Sequence, residues 1–265
     1  MFKARQREHK ILAARVRKSE KRRSGPVSRN VLLRRILVTL ILGTAITLYL
    51  LNTNYQHETF EAYQFINCGL CLWLPLVVVV LFLGENPNDY GLGAGDRKTG
   101  LLWAGGMWAA MLPVLFLASH LHSVTGYYLS RFNNTWLSGF GPILAYRHGH
   151  LVANPLSIVY YELAMGFYMF CWEFFFRGFW LNGLRDTKLG VTGAIVIQCI
   201  PFVLLHWSPD PSASKSILEI IGSIPAGLIL GFIAYKTKSI YYGYLAHYAV
   251  SATMDLMLLW QFIFR

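Results

Sequence analysis

Seven stretches of this chain are apolar runs near the length of a membrane crossing, and that pattern constrains the fold more than any other feature. They cover residues 36–51, 65–83, 101–118, 156–180, 191–206, 217–234 and 241–264. A helix that crosses the hydrocarbon core needs about 20 apolar residues, with a range near 17–25. The chain is 55% hydrophobic and 14% charged, whereas a soluble domain carries roughly 25% charged residues. The expectation is an all-α, polytopic transmembrane helical bundle of about seven to eight spanning helices. One bundle, residues 36–265, accommodates this length, with a catalytic-type core at about 156–264 and a basic tail over 1–35.

The net charge of +11 suggests nucleic acid until it is located. Residues 1–35 hold thirteen Lys and Arg against Glu8 and Glu20, a surplus equal to the whole net charge. The rest of the chain is neutral, so no nucleic-acid partner is expected. Basic residues before a first spanning helix keep that end cytoplasmic, and they adhere to anionic lipid at about 1 kcal/mol per well-placed cation. The basic region is too long for a cleaved signal peptide. With the N-terminus cytoplasmic, Asp96-Arg97-Lys98, then Arg185 and Lys188, then Lys236 and Lys238 all fall inside, while Glu58 and Glu61 fall outside. Three basic loops thus agree on one orientation, which fits an integral membrane protein of a bacterial inner membrane.

The segment 119–155 is too polar to span and reads as an external loop with an interfacial, aromatic-rich helix (Tyr127, Tyr128, Phe132, Trp136). His120, His122, His148 and His150 lack a carboxylate partner at fixed spacing, so they make a weak metal site. Cys68, Cys71, Cys171 and Cys199 lie in apolar runs and read as small packing groups. On the sixth run Ser223, Gly227 and Gly231 recur every four residues, letting another helix approach closely. Pro225 in the same run predicts a kink or a loosened backbone.

Against that apolar background stand Glu173, Arg177, His206 and His247. Charge in lipid is costly, and a membrane protein that keeps it usually uses it in the bundle interior. Arg177 follows Glu173 by four residues, so the two can pair along one helix face. Counting rises from the 187–190 turn puts Glu173 and His206 at similar depth, roughly 20–24 Å, so a hairpin can set them face to face. His247, Ser251 and Asp255 share one face of the last helix, although His247 lies only seven residues into its run. A carboxylate and two imidazoles suit the activation of water. Glu173 would be the base, His206 its water-binding partner, and His247 with Ser251 donors to the oxyanion. Arg177 and Phe202 would support the site, with Glu219 and Asp255 near an aqueous edge.

These motifs resemble the CPBP family, the CAAX-prenyl-protease and bacteriocin-processing (Abi) group of intramembrane endopeptidases. The family pattern runs Glu-Glu-x-x-x-Arg, Phe-x-x-x-His, His-x-x-x-Asn. Glu173 and Arg177 match the first motif, Phe202 and His206 the second, and His247 the third. The resemblance extends over about 165–257, taking in Lys215, Glu219 and Gly222–Gly231, and residues 84–101 look like the family's loop before its third helix. Trp172 stands in place of the first glutamate and Ser251 in place of the asparagine, which makes this a single-glutamate variant. The resemblance implies cleavage of membrane-proximal, lipidated or C-terminal protein segments. A dedicated zinc site needs three protein ligands plus water, and only Glu173 is available as a third, so no metal or other cofactor is expected. The alternative reading is a non-catalytic immunity or binding protein on the same fold. Proton-coupled transport lacks the expected broken-helix pairs.

Overall fold

The computed structural model describes residues 28–264 except 58, 135, 138, 148–149 and 209–215. Most of the basic tail, Glu58, His148 and Lys215 therefore lie outside the described residues. The chain divides into two units, Met1–Arg34 and Arg35–Arg265. The first contains the start of the helix Arg29–Thr53, and the second holds the rest of the described helices.

Among the described residues eight helices make up the bundle: α1 (Arg29–Thr53), α2 (Phe60–Leu83), α3 (Arg97–Ala118), α4 (His122–Asn134), α5 (155–184), α6 (Gly190–Leu204), α7 (Ile217–Thr237) and α8 (Tyr241–Phe264). Two short hairpins stand between α4 and α5. Strand β1 (Trp136–Leu137) pairs with β2 (Gly141–Pro142), and β3 (Leu144–Arg147) pairs with β4 (His150–Ala153). The polar segment after α3 thus holds the expected helix and, in addition, strands that its aromatic composition did not announce.

Four helices, α1, α2, α3 and α7, are long and apolar enough to cross a membrane. The other long ones, α5 and α8, carry the polar groups of the site, and α6 has 15 residues. Hydropathy alone therefore counts fewer crossings than the seven apolar runs, because polar residues reside in the innermost helices.

Starts and stops follow the local chemistry. Asp96 caps α3 by accepting from the Thr99 amide, and the Asn154 side chain accepts from Ser157 N at the start of α5. At the far end of α7, Lys238 adopts a left-handed conformation and closes the turn to α8. The loop before α3 is tied to that turn, since Asp96 N donates to Thr237 O and Ile240 N to Gly91 O. On the same end Arg35 bridges Glu85 and Asp186 at 2.9 and 2.8 Å.

α6 and α7 run antiparallel in close contact. Gln198 Nε2 donates to Gly227 O at 2.9 Å, and a methyl at Gly227 would stand 2.6 Å from Cys199 Sγ. The small residues of α7 thus admit α6, as their spacing predicts, and α7 stays helical through Pro225. α5 changes its winding directly after Glu173. It is α-helical over Pro155–Glu173, π-helical over Phe174–Trp180 and α-helical again over Leu181–Leu184. All seven π-helical residues are buried, and π-turns of this kind concentrate at functional sites.

Candidate active site

Glu173 lies at the last α-helical position of α5, fully buried. Its Oε1 accepts from His247 Nδ1 at 2.8 Å and stands 3.2 Å from an Arg177 guanidinium nitrogen. Arg177 is also fully buried, its guanidinium 4.2 Å from the Phe202 ring centroid and 5.5 Å from that of Phe176. Such a cation over an aromatic face gains electrostatic support where water is absent. The pairing read from the four-residue spacing is present, and His247 joins it from α8.

Space for this contact comes from Gly243, one turn before His247. A methyl there would lie 3.2 Å from Glu173 Oε2 and 3.7 Å from Leu230 O. The second carboxylate oxygen therefore faces the α7–α8 packing and has no hydrogen-bond partner among the described residues. His247 reaches Glu173 despite its shallow position in α8 because α8 crosses against α5 at Gly243, where no side chain separates them.

His206 stands two residues past the end of α6 and is 8% exposed. Its Nδ1 is 2.8 Å from Phe202 O. A carbonyl only accepts, so Nδ1 carries the hydrogen and Nε2 is the acceptor of the neutral ring. By the same logic the Glu173 carboxylate takes the Nδ1 hydrogen of His247. Phe202 connects the two imidazoles, with its ring centroid 4.6 Å from His206 and 5.9 Å from His247. The contacts that Glu173 makes are with His247 and Arg177, and the Phe202 ring packs on both histidines.

A cavity of about 710 Å³ is lined by Trp172, Phe202, His206, Glu219, His247 and Ser251, among others. Glu173 and Arg177 are behind its wall. Trp172 forms part of that wall, its ring 6.0 Å from His206 and its indole N–H donating to Asn67 Oδ1 on α2 at 3.3 Å. Asn67 is held in turn by Asn54. The cavity also reaches the ends of α1 and α3 at Leu50, Asn54, Leu117 and Leu121. It therefore extends to the end of the bundle where α1 gives way to α2, opposite the loops that carry Asp96-Arg97-Lys98, Arg185 and Lys188.

Of the supporting residues, Glu219 lines the cavity from the first turn of α7 and accepts from the Tyr128 hydroxyl at 3.3 Å. Burial, with the charges of Glu219 and Asp255 adding to it, pushes that hydroxyl well above its ordinary value, so it remains a donor. Asp255 departs from expectation. It is 1% exposed rather than at an aqueous edge, because α4 and β4 pack over that end of α8. It neighbours Glu162 and Arg131, and the Tyr248 hydroxyl bonds Glu162 at 3.3 Å. The sequence reading passed over Glu162, although a carboxylate inside an apolar run is the same signal that flagged Glu173. Among the described residues no three His, Cys, Asp or Glu side chains assemble as metal ligands.

Residues 154–253 match the family model described as Type II CAAX prenyl endopeptidase Rce1-like. This segment is an Rce1-like domain. It begins at the N-cap of α5 and includes Glu173, Arg177, Phe202, His206, His247 and Ser251, so the CPBP/CAAX protease resemblance drawn from three short motifs is borne out. No curated protein and no solved structure matches the chain. The protein is a helical membrane protein, and its residues 154–253 are similar to a protease family.

Proposed function

We propose that this protein is an intramembrane endopeptidase that cuts membrane-proximal or lipidated protein segments, using a glutamate-supported histidine pair and no resident metal. The observation that carries this reading is the buried Glu173 carboxylate bonded to His247 Nδ1, with His206 on the wall of the same cavity. In that geometry Glu173 acts through His247 and is not itself the group that meets water, a change from the role its position in the motif suggests. Glu173 neutralises the imidazolium form of His247, whose Nε2 then donates to the oxyanion of the tetrahedral intermediate, with Ser251 one turn beyond. His206 holds the attacking water through Nε2. Removing one such oxyanion donor typically costs about 10²–10³ in rate.

With the basic loops inside, the bundle is multi-pass in an inner membrane, its N-terminal tail lies against anionic lipid, and the cavity opens outward. A fluorogenic peptide ending in a prenylated Cys-aliphatic-aliphatic-any tail, presented to the purified protein in liposomes, tests the reading. Cleavage should survive chelator and fall about 10²-fold or more in His206→Ala and His247→Ala. Normal cleavage by both Glu173→Gln and His206→Ala ends the proposal.

A second reading has its own observation. Trp172 places an indole, anchored by Asn67, in the cavity wall where the family pattern has a carboxylate. A non-catalytic binding or immunity protein could use that aromatic wall to hold a partner segment. It predicts binding that persists in Glu173→Ala and peptides that are never cut.

A further inference from the structure

Trp172 and the enclosed Glu173 leave the cavity without a water-facing carboxylate on α5. Another one enters from α7. Glu219 lines the same cavity as His206, His247 and Ser251. The antiparallel register of α6 and α7 sets its height, because Gln198 bonds the Gly227 backbone. From that contact α6 runs on towards His206 as α7 runs back towards Glu219, so both groups come to the same end of the helix pair and line one cavity.

The conformation of Glu219 points the same way. It occupies the third position of α7 after the cap Ser216, whose hydroxyl accepts from the Glu219 amide at 3.3 Å. A glutamate in that position ordinarily folds back to the amide of its own cap. Here the carboxylate turns to the Tyr128 hydroxyl instead, through Oε1. Its Oε2 is buried and has no hydrogen-bond partner among the described residues. Orphaned buried oxygens are costly, more so when charged, unless a ligand or water meets them.

We propose that Glu219 is the general base of the reaction, taking the proton from the water that His206 holds. This rests on the endopeptidase reading above. The water O–H proton passes to Glu219 as the oxygen bonds the carbonyl carbon, and the oxyanion forms against His247. Glu219 then returns that proton to the amide nitrogen as the C–N bond breaks. A carboxylic acid and an amine leave, and the carboxylate is restored. Tyr128 is a positioning residue that fixes the carboxylate through Oε1 so that Oε2 addresses the water.

The test compares wild type, Glu219→Gln, Tyr128→Phe and His206→Ala on the prenylated fluorogenic peptide across pH. Gln preserves the helix start, since it serves the same capping position, so Glu219→Gln is expected to fold. It should lower kcat about 10²–10⁴-fold with little change in KM, and its residual activity should lose the acidic limb of the wild-type profile. Tyr128→Phe should keep most of the activity but shift that limb. If Glu219→Gln and Tyr128→Phe both match wild type in rate and profile while His206→Ala is dead, Glu219 is a helix cap only and the endopeptidase reading stands. A wild-type protein that cuts no peptide removes that reading and the proposal with it.

Discussion

α3 and α5 are built on opposite plans. Along its apolar window α3 is 11% buried, and it turns Leu101, Leu102 and Leu117 outward. From Cys171 to Leu181 every residue of α5 is buried, two of them charged. An outer helix meets similar surroundings on all sides, so apolar side chains suffice and most can be exchanged. An inner helix has no water for the polar atoms it carries, so each depends on what the protein sets beside it. Identity therefore matters in α5, and bulk apolarity is enough for α3.

The largest break in that contrast should come from the ion pair. Glu173→Ala strands the Arg177 charge and is expected to cost about 3–5 kcal/mol, read as thermal unfolding in detergent. The double variant Glu173→Leu with Arg177→Met should regain most of that stability and still be inactive. If the double variant is as unstable as the sum of its singles, the pair is not coupled as described.

Backbone crowding should come next, with opposite signs in the two helices. At Gly178 of α5 a methyl would meet Tyr90 O at 2.9 Å, so Gly178→Ala should cost about 1–3 kcal/mol. At Gly105 of α3 a methyl meets nothing within 4 Å, and Gly105→Ala should gain up to about 1 kcal/mol from helix propensity. Equal signs in denaturation curves would erase the distinction. Asn67→Ala, which removes the partner of the Trp172 indole, should cost about 1 kcal/mol and loosen the wall, detectable as a shift in Trp fluorescence. Leu102→Ala, 68% exposed on α3, should move stability by about 0.5 kcal/mol or less.

Sequence and structure meet most closely where the physics is local or excluded by lipid. The Glu173–Arg177 pair follows from a four-residue spacing, and the burial of Glu173, Arg177 and His206 follows from their apolar runs. The approach of α6 to α7 follows from Ser223, Gly227 and Gly231. What spacing could not convey was which partner each group takes across helices. Depth counting set Glu173 opposite His206, and it gave no sign that the missing side chain at Gly243 lets α8 bring His247 to the same carboxylate. Asp255 reads as an edge residue until α4 and β4, from a segment too polar to span, are seen to cover it. Trp172 reads as a lost function, and only the contact with Asn67 on α2 shows that its indole is anchored as part of the wall. Glu162 and Arg131 needed no structure to be noticed, only the same question that was asked of Glu173.

The π-helical winding of Phe174–Trp180 makes α5 sensitive to length as well as to composition. Such a stretch accommodates one more residue than regular α-helical coiling of the same span, so shortening it by one residue, for example by deleting Phe175, would let it relax to the ordinary pitch. The flanking turns would keep their orientation, but Arg177 would follow Glu173 by three residues, taking the guanidinium off its carboxylate while leaving a hydrophobic rod behind. A protein so trimmed should still insert and yet lose its catalytic geometry, which makes the underwound segment a place where this bundle can discard chemistry without discarding the fold.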